Sequence, residues 1–131
     1  MLTRRGFTAC ALCAISGFIA VDAAAQTTGI KRTILSQIDG PVDGYLTVSV
    51  RSEIDPDASV ARHTHPGIET TYIVEGAVEL DIDGQPARSL QAGEAFQIAA
   101  QTPHAAKNGP AKTVIASTFV VQKGKPLASP A

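Results

Sequence analysis

A chain of 131 residues with 44% hydrophobic and 18% charged positions has globular composition and room for one domain around one core. Its formal net charge is −1. No basic stripe and no aromatic–basic interleaving runs along it, which argues against nucleic acid as a partner.

The N-terminal segment, MLTRRGFTACALCAISGFIAVDAAAQ, opens with two arginines, continues through an apolar run from Phe7 to Val21 and closes on small residues. That order is the layout of a secretory signal, with cleavage expected between Ala25 and Gln26. The run is diluted by Thr, Ser, Gly and Cys and falls short of a spanning helix. An uncleaved anchor is the alternative. Thr3-Arg4-Arg5-Gly6-Phe7 resembles the core of a twin-arginine export signal. Residues 1–25 are therefore read as a signal peptide and the protein as periplasmic, with no stable membrane anchor after cleavage. Cys10 and Cys13 leave with the signal, so the mature chain has no disulfide and no thiolate. Any metal site in it must be built from His and carboxylate.

Residues 26–40 read as a lead-in, flexible at its start, QTTGIKRT. From there to residue 122 apolar residues alternate with period two, broken every eight to twelve residues. Strands are predicted over Tyr45–Arg51, Val60–His65, Thr70–Val74, Ala77–Ile82, Arg88–Leu90, Ala95–Ile98, Pro103–Lys107 and Thr113–Val121. Pro66-Gly67 breaks the chain after His65. Asp83-Gly84 supplies a tight hairpin turn, and Asp81 and Asp83 beside it read as solvated. Residues 123–131, rich in Pro, Ser and Ala, read as a loose tail. Eight or nine short strands without a helix predict an all-β antiparallel barrel or jelly roll over residues 41–122.

The chain has three histidines, and two of them stand one residue apart. On a strand, His63 and His65 point to one face. Pro66-Gly67 lets Glu69 swing back beside them. Two imidazoles and a carboxylate suit Fe, Mn, Ni, Zn or Cu. His104, in its own short strand, completes three nitrogens and one oxygen if the barrel brings it opposite. The plainer alternative is a pair of polar histidines near a strand edge. Thr71 and Ile73 share the parity of Glu69 and are candidate cavity residues. Tyr72 and Phe96 are read chiefly as packing between sheets, with pocket lining as the lesser option. Asn108 reads as a turn former.

His63-x-His65-xxx-Glu69, then six residues and Gly76, resembles the first motif of the cupins. Gly93, five residues, Ala99, then His104 and Asn108 fall in the register of the second motif. Three positions depart from the pattern: Asp57 and Gln101 stand where the family has glycine, and Ala99 where it has proline. The resemblance implies a double-stranded β-helix, the cupin barrel, holding one divalent transition metal (Fe, Mn, Ni or Zn) by His63, His65, Glu69 and His104. It implies two open positions on the metal, and hence a small-molecule substrate, alone or with O2. Glu69 is then a ligand and a candidate proton shuttle. Family members with this ligand set include dioxygenases, isomerases and lyases. The alternatives are a non-catalytic module that binds a small ligand or metal, and a metal that serves only as a staple. A homodimer is expected, with Tyr45–Arg51 and Thr113–Val121 as candidate contacts.

Overall fold

The computed structural model describes residues 28–131. The signal reading of residues 1–25, with Cys10 and Cys13, lies outside the described residues. Ten strands follow one another: β1 (Ile30–Asp39), β2 (Tyr45–Ile54), β3 (Ser59–Thr64), β4 (Gly67–Glu75), β5 (Ala77–Ile82), β6 (Arg88–Gln91), β7 (Ala95–Ile98), β8 (His104–Asn108), β9 (Thr113–Gln122) and β10 (Ser129–Pro130). Among the described residues there is no helix. Two five-stranded antiparallel sheets result, ordered β1-β2-β9-β4-β7 and β10-β3-β8-β5-β6. The all-β jelly-roll expectation is met.

Alternation explains the layers. In β2 every second residue from Leu46 to Ile54 is buried, and in β5 the same holds for Val78, Leu80 and Ile82. Inward residues of the two sheets meet as one layer of side chains. They form two clusters, one around Ile54, Ile73, Leu80 and Ile98, the other around Leu46, Val48, Phe119 and Val121. The histidines stand among these inward rows. Gly67 opens β4 where the strand meets β9, and a Cβ there would collide with the Val120 carbonyl. Only glycine lets β4 start so close to its neighbour.

Several expectations are corrected. The lead-in is a ten-residue strand, β1, paired with β2 from Ile30↔Ile54 to Asp39↔Leu46. A register shift between Ile34 and Ser36 breaks its alternation, and most of its side chains are exposed, so no period-two signal survives. The tail is docked: Leu127 is buried in the second cluster, and Ser129 and Pro130 pair with Thr64 and His63. Asp83-Gly84 does turn the chain, but the β5–β6 connection runs through residues 83–87. Asp81 and Asp83 are exposed and both ion-pair with Arg62. The proposed contact strands lie inside their sheet: β2 is flanked by β1 and β9, and β9 by β2 and β4. Neither offers an edge. The edges of that sheet are β1 and β7, and on β1 Leu35 and Ile38 are exposed.

Candidate metal centre

Three strands carry the predicted donors to one point. His63 sits near the end of β3 and pairs with His104 at the start of β8. His65 lies in the short link to β4, and Glu69 lies on the buried face of β4. Alternation puts His63 and His65 on one side, and the turn at Pro66 brings Glu69 under them.

The ring nitrogens have divided roles. Nδ1 of His63 lies 2.7 Å from the Ala61 carbonyl, Nδ1 of His65 is 2.6 Å from that of Leu127, and Nδ1 of His104 is 2.9 Å from that of Thr102. A carbonyl only accepts, so each Nδ1 carries a proton, the tautomer that in a neutral ring turns the Nε2 lone pair inward. Those lone pairs converge. His63 Nε2 is 3.2 Å from His65 Nε2. Glu69 Oε2 is 3.0 Å from His65 Nε2 and 3.2 Å from His104 Nε2. Oε2 is buried and has no hydrogen-bond donor.

Four acceptors facing one another without a donor is an unfavourable arrangement unless a cation sits between them. Donors bound at about 2.1 Å and at right angles around an ion lie about 3.0 Å apart. The separations here match that, so the residues fit a divalent metal. The three histidines form a cluster able to hold an ion, and Glu69 adjoins it.

Protonation states agree with that fit. Burial, with the neighbouring His104 and His65, lowers His63 to about 4 against the pull of the Ala61 carbonyl, so the ring is neutral at neutral pH. For Glu69, burial pushes the carboxyl up. The contacts with His104 and His65 and the Thr71 hydroxyl outweigh it and hold the group below the usual carboxylate range. Thr71 donates whatever the state of the rings, whereas His104 and His65 lower the carboxyl only when their Nε2 carries a proton, the place a bound cation would otherwise take. An ionised carboxylate is a good ligand and a weak base.

Glu69 is further held from behind. Thr71 Oγ1 donates to Oε1 at 2.6 Å and stands 2.6 Å from Ser117 Oγ. Thr71 spends its one proton on Glu69, so Ser117 donates to Thr71. Asn108 ties the loops together: its Nδ2 faces the carbonyls of Ile54, Asp55 and Ala111, and its Oδ1 accepts from Gly109 N–H and Thr113 Oγ1.

A cavity of about 80 Å³ opens on the donors. Phe96 lines it. Thr71 and Ile73 are fully buried but lie behind the wall, Thr71 reaching the site through Glu69. Tyr72 is a correction: it is 48% exposed on the outer face of β4, as its parity opposite to Glu69 requires. Sequence reasoning missed Arg32, Ser52, Ser117 and Leu127. Arg32 on β1 and Ser52 on β2 line the cavity. Burial pulls the Arg32 guanidinium below its ordinary range, opposed by the charge of Glu69. The inward row of β2 was legible and includes Ser52. Arg32 was hidden by reading its segment as a lead-in.

The model of the cupin domain matches residues 50–121. No curated protein matches. Among solved structures the chain is similar to KdgF from a Halomonas species, with 26% identity, 73% of this chain and 82% of that chain covered and a TM-score of 0.60. It is similar to an RmlC-like cupin from Shewanella frigidimarina, with 25% identity, coverage of 73% and 79% and a TM-score of 0.61. The polyketide cyclase RemF from Streptomyces resistomycificus, at 23% identity, coverage of 76% and 70% and a TM-score of 0.61, shares the fold.

Proposed function

The chain belongs to the cupin family, and from that premise we propose that it is an exported metalloenzyme whose one divalent transition ion is held by His63, His65, Glu69 and His104. The observation that carries this is the convergence of three Nε2 atoms, two of them 3.0 Å and 3.2 Å from a buried carboxylate oxygen that has no donor and the third 3.2 Å from its neighbour. When bound, a divalent ion supplies Lewis acidity or, with iron, a means of engaging O2. The rest falls to the chain. The imidazoles are fixed in their tautomers by three carbonyls, and Ser117 and Thr71 hold Glu69 in place. The apolar wall excludes water and accepts an organic body.

The substrate is a small oxygen-bearing organic molecule, and the reaction is dioxygenase-like or an isomerisation or lyase step. Among residues lining the cavity, the only titratable side chains are the donors and Arg32. Glu69 is therefore the one candidate proton shuttle, and its lowered pKa makes ligation its better role. The same scarcity of acid–base groups favours a second reading, a binding module without turnover. Substrate-dependent O2 uptake or product formation separates the two, since a binder shows only ligand-dependent stabilisation.

Export rests on Thr3-Arg4-Arg5-Gly6-Phe7 and the small residues before Gln26. A homodimer would use β1, whose Leu35 and Ile38 are exposed. The deciding experiment is elemental analysis of the purified protein beside a His63→Ala/His104→Ala variant. Near-stoichiometric metal, lost in the variant, supports the centre. No metal in either sample overturns it.

A further inference from the structure

Apart from Ser117, which is bonded to Thr71, two sets of polar side chains interrupt the apolar wall of the cavity. One is the four converging donors. The other is Arg32 and Ser52, direct partners across the β1–β2 ladder, which both line the cavity. Ile30 shares their face and also lines it, while Lys31 and Thr33 point outward. Beyond Arg32 the strand shifts register and every residue to Asp39 is exposed. Ile30 and Arg32 are thus the β1 side chains that line the cavity, and Arg32 is the one Lys or Arg among the lining residues.

An inward guanidinium beside Val50, Ile54 and Phe96 is costly to desolvate. The neighbouring outward positions would have carried the same charge at no such cost, as Lys31 does. Three neutral imidazoles and one carboxylate offset only half the charge of a divalent ion. With the centre loaded, Arg32 shares one cavity with a site of net positive charge, and an anion in that cavity is attracted by both. The guanidinium fork matches a carboxylate in two hydrogen bonds, and a serine hydroxyl directly across the ladder offers a third donor.

We propose that Arg32 and Ser52 are the carboxylate-anchoring end of this cavity, so that its ligand is a small organic acid with an apolar body lying against Val50, Ile54 and Phe96. The far end of the acid faces the donors, and in that respect the inference rests on the metal-centre reading. The anchor itself does not need the metal.

The test is calorimetric titration of purified protein with benzoate and isobutyrate, each against its neutral amide, benzamide or isobutyramide. Metal content is measured on every sample, and the titrations are repeated after chelation. Wild-type protein should bind at least one acid ten-fold or more tighter than its amide. Arg32→Gln should erase that preference by weakening the acid and leaving the amide unchanged, with metal content intact. Arg32→Lys should keep part of it, and Ser52→Ala should weaken the acid several-fold. If Arg32→Gln fails to fold, by circular dichroism, the Lys and Ala variants decide. An undiminished preference in Arg32→Gln (or, where that variant does not fold, in both Arg32→Lys and Ser52→Ala), or an acid bound no better than its amide, overturns the anchor and leaves the metal centre standing. An Arg32-dependent preference in protein that holds no metal as purified supports the anchor and sinks the metal reading, whereas one that persists after chelation supports the anchor alone.

Discussion

Glu69→Gln inverts the stability ranking between the metal-free and metal-loaded protein. In wild type, Oε2 is buried 3.0 Å and 3.2 Å from two nitrogens whose protons are elsewhere. A glutamine can place its NH2 group there and donate to both. Two new hydrogen bonds contribute roughly 1 kcal/mol each. The Thr71 bond to Oε1 drops from charge-assisted to neutral, which costs about 1 kcal/mol. Removing a desolvated carboxylate acts in the stabilising direction. The net gain without metal is about 1 kcal/mol or more, or roughly 4 °C in Tm for a domain of this size. With metal at about a thousand times its Kd, wild type gains about 4 kcal/mol, and the neutral amide forfeits most of that. Thermal melts by circular dichroism, in chelator and then with added metal, read both halves. A variant that melts below wild type in chelator would refute the reasoning. It would mean that the imidazoles donate to Glu69 in a satisfied network and are not aligned as ligands.

Four further changes probe the frame around the site. Gln101 adopts a φ of 57° while its N–H bonds the His65 carbonyl at 2.9 Å. The left-handed conformation costs a side chain about 1–2 kcal/mol, and glycine's extra chain entropy returns about 0.5–1 kcal/mol of that. Gln101→Gly should therefore raise Tm by a few degrees, and Asp57→Gly, at φ 59°, by less, because Asp tolerates this region. A fall in Tm for Gln101→Gly counts against the assignment. Truncation after Gln122 removes both the buried Leu127 side chain and the carbonyl that orients His65. It should cost about 3 kcal/mol or more in denaturant unfolding and weaken metal binding roughly 10- to 100-fold. Leu127→Ala keeps the carbonyl and should lose stability with little loss of metal affinity. Equal affinity losses in both would show that the carbonyl plays no part.

The donors were legible because two local rules agreed. Strand parity aligned His63 with His65, and motif spacing brought Glu69 and His104 into the same set. β2, β5 and β9 were legible for the same reason, since each keeps one clean apolar face. β1 keeps none: one face is broken at Ile34/Ser36, and the strand is held by a backbone ladder to β2, a contact with no residue-type signature. The tail misled by composition, because Pro and Ser around Leu127 resemble a linker while the leucine itself fills a core cluster. The carbonyls of Ala61, Thr102 and Leu127 were beyond reach altogether, since every residue has a carbonyl and only the fold selects which three meet an imidazole. Asp57 and Gln101 make the complementary point. Their side chains depart from the family's glycines, yet both keep the positive φ that glycine would supply. The turn geometry has outlasted the residue that makes it easy. The reason lies in what hangs on it: Gln101 ties its backbone to His65, and the Asp57 N–H bonds the Gly109 carbonyl beside Asn108. The Gln101 loop holds His65 among the donors, and the Asp57 loop braces the other end of β3 and β8, so strain of about 1 kcal/mol at each is outweighed by the frame they shape.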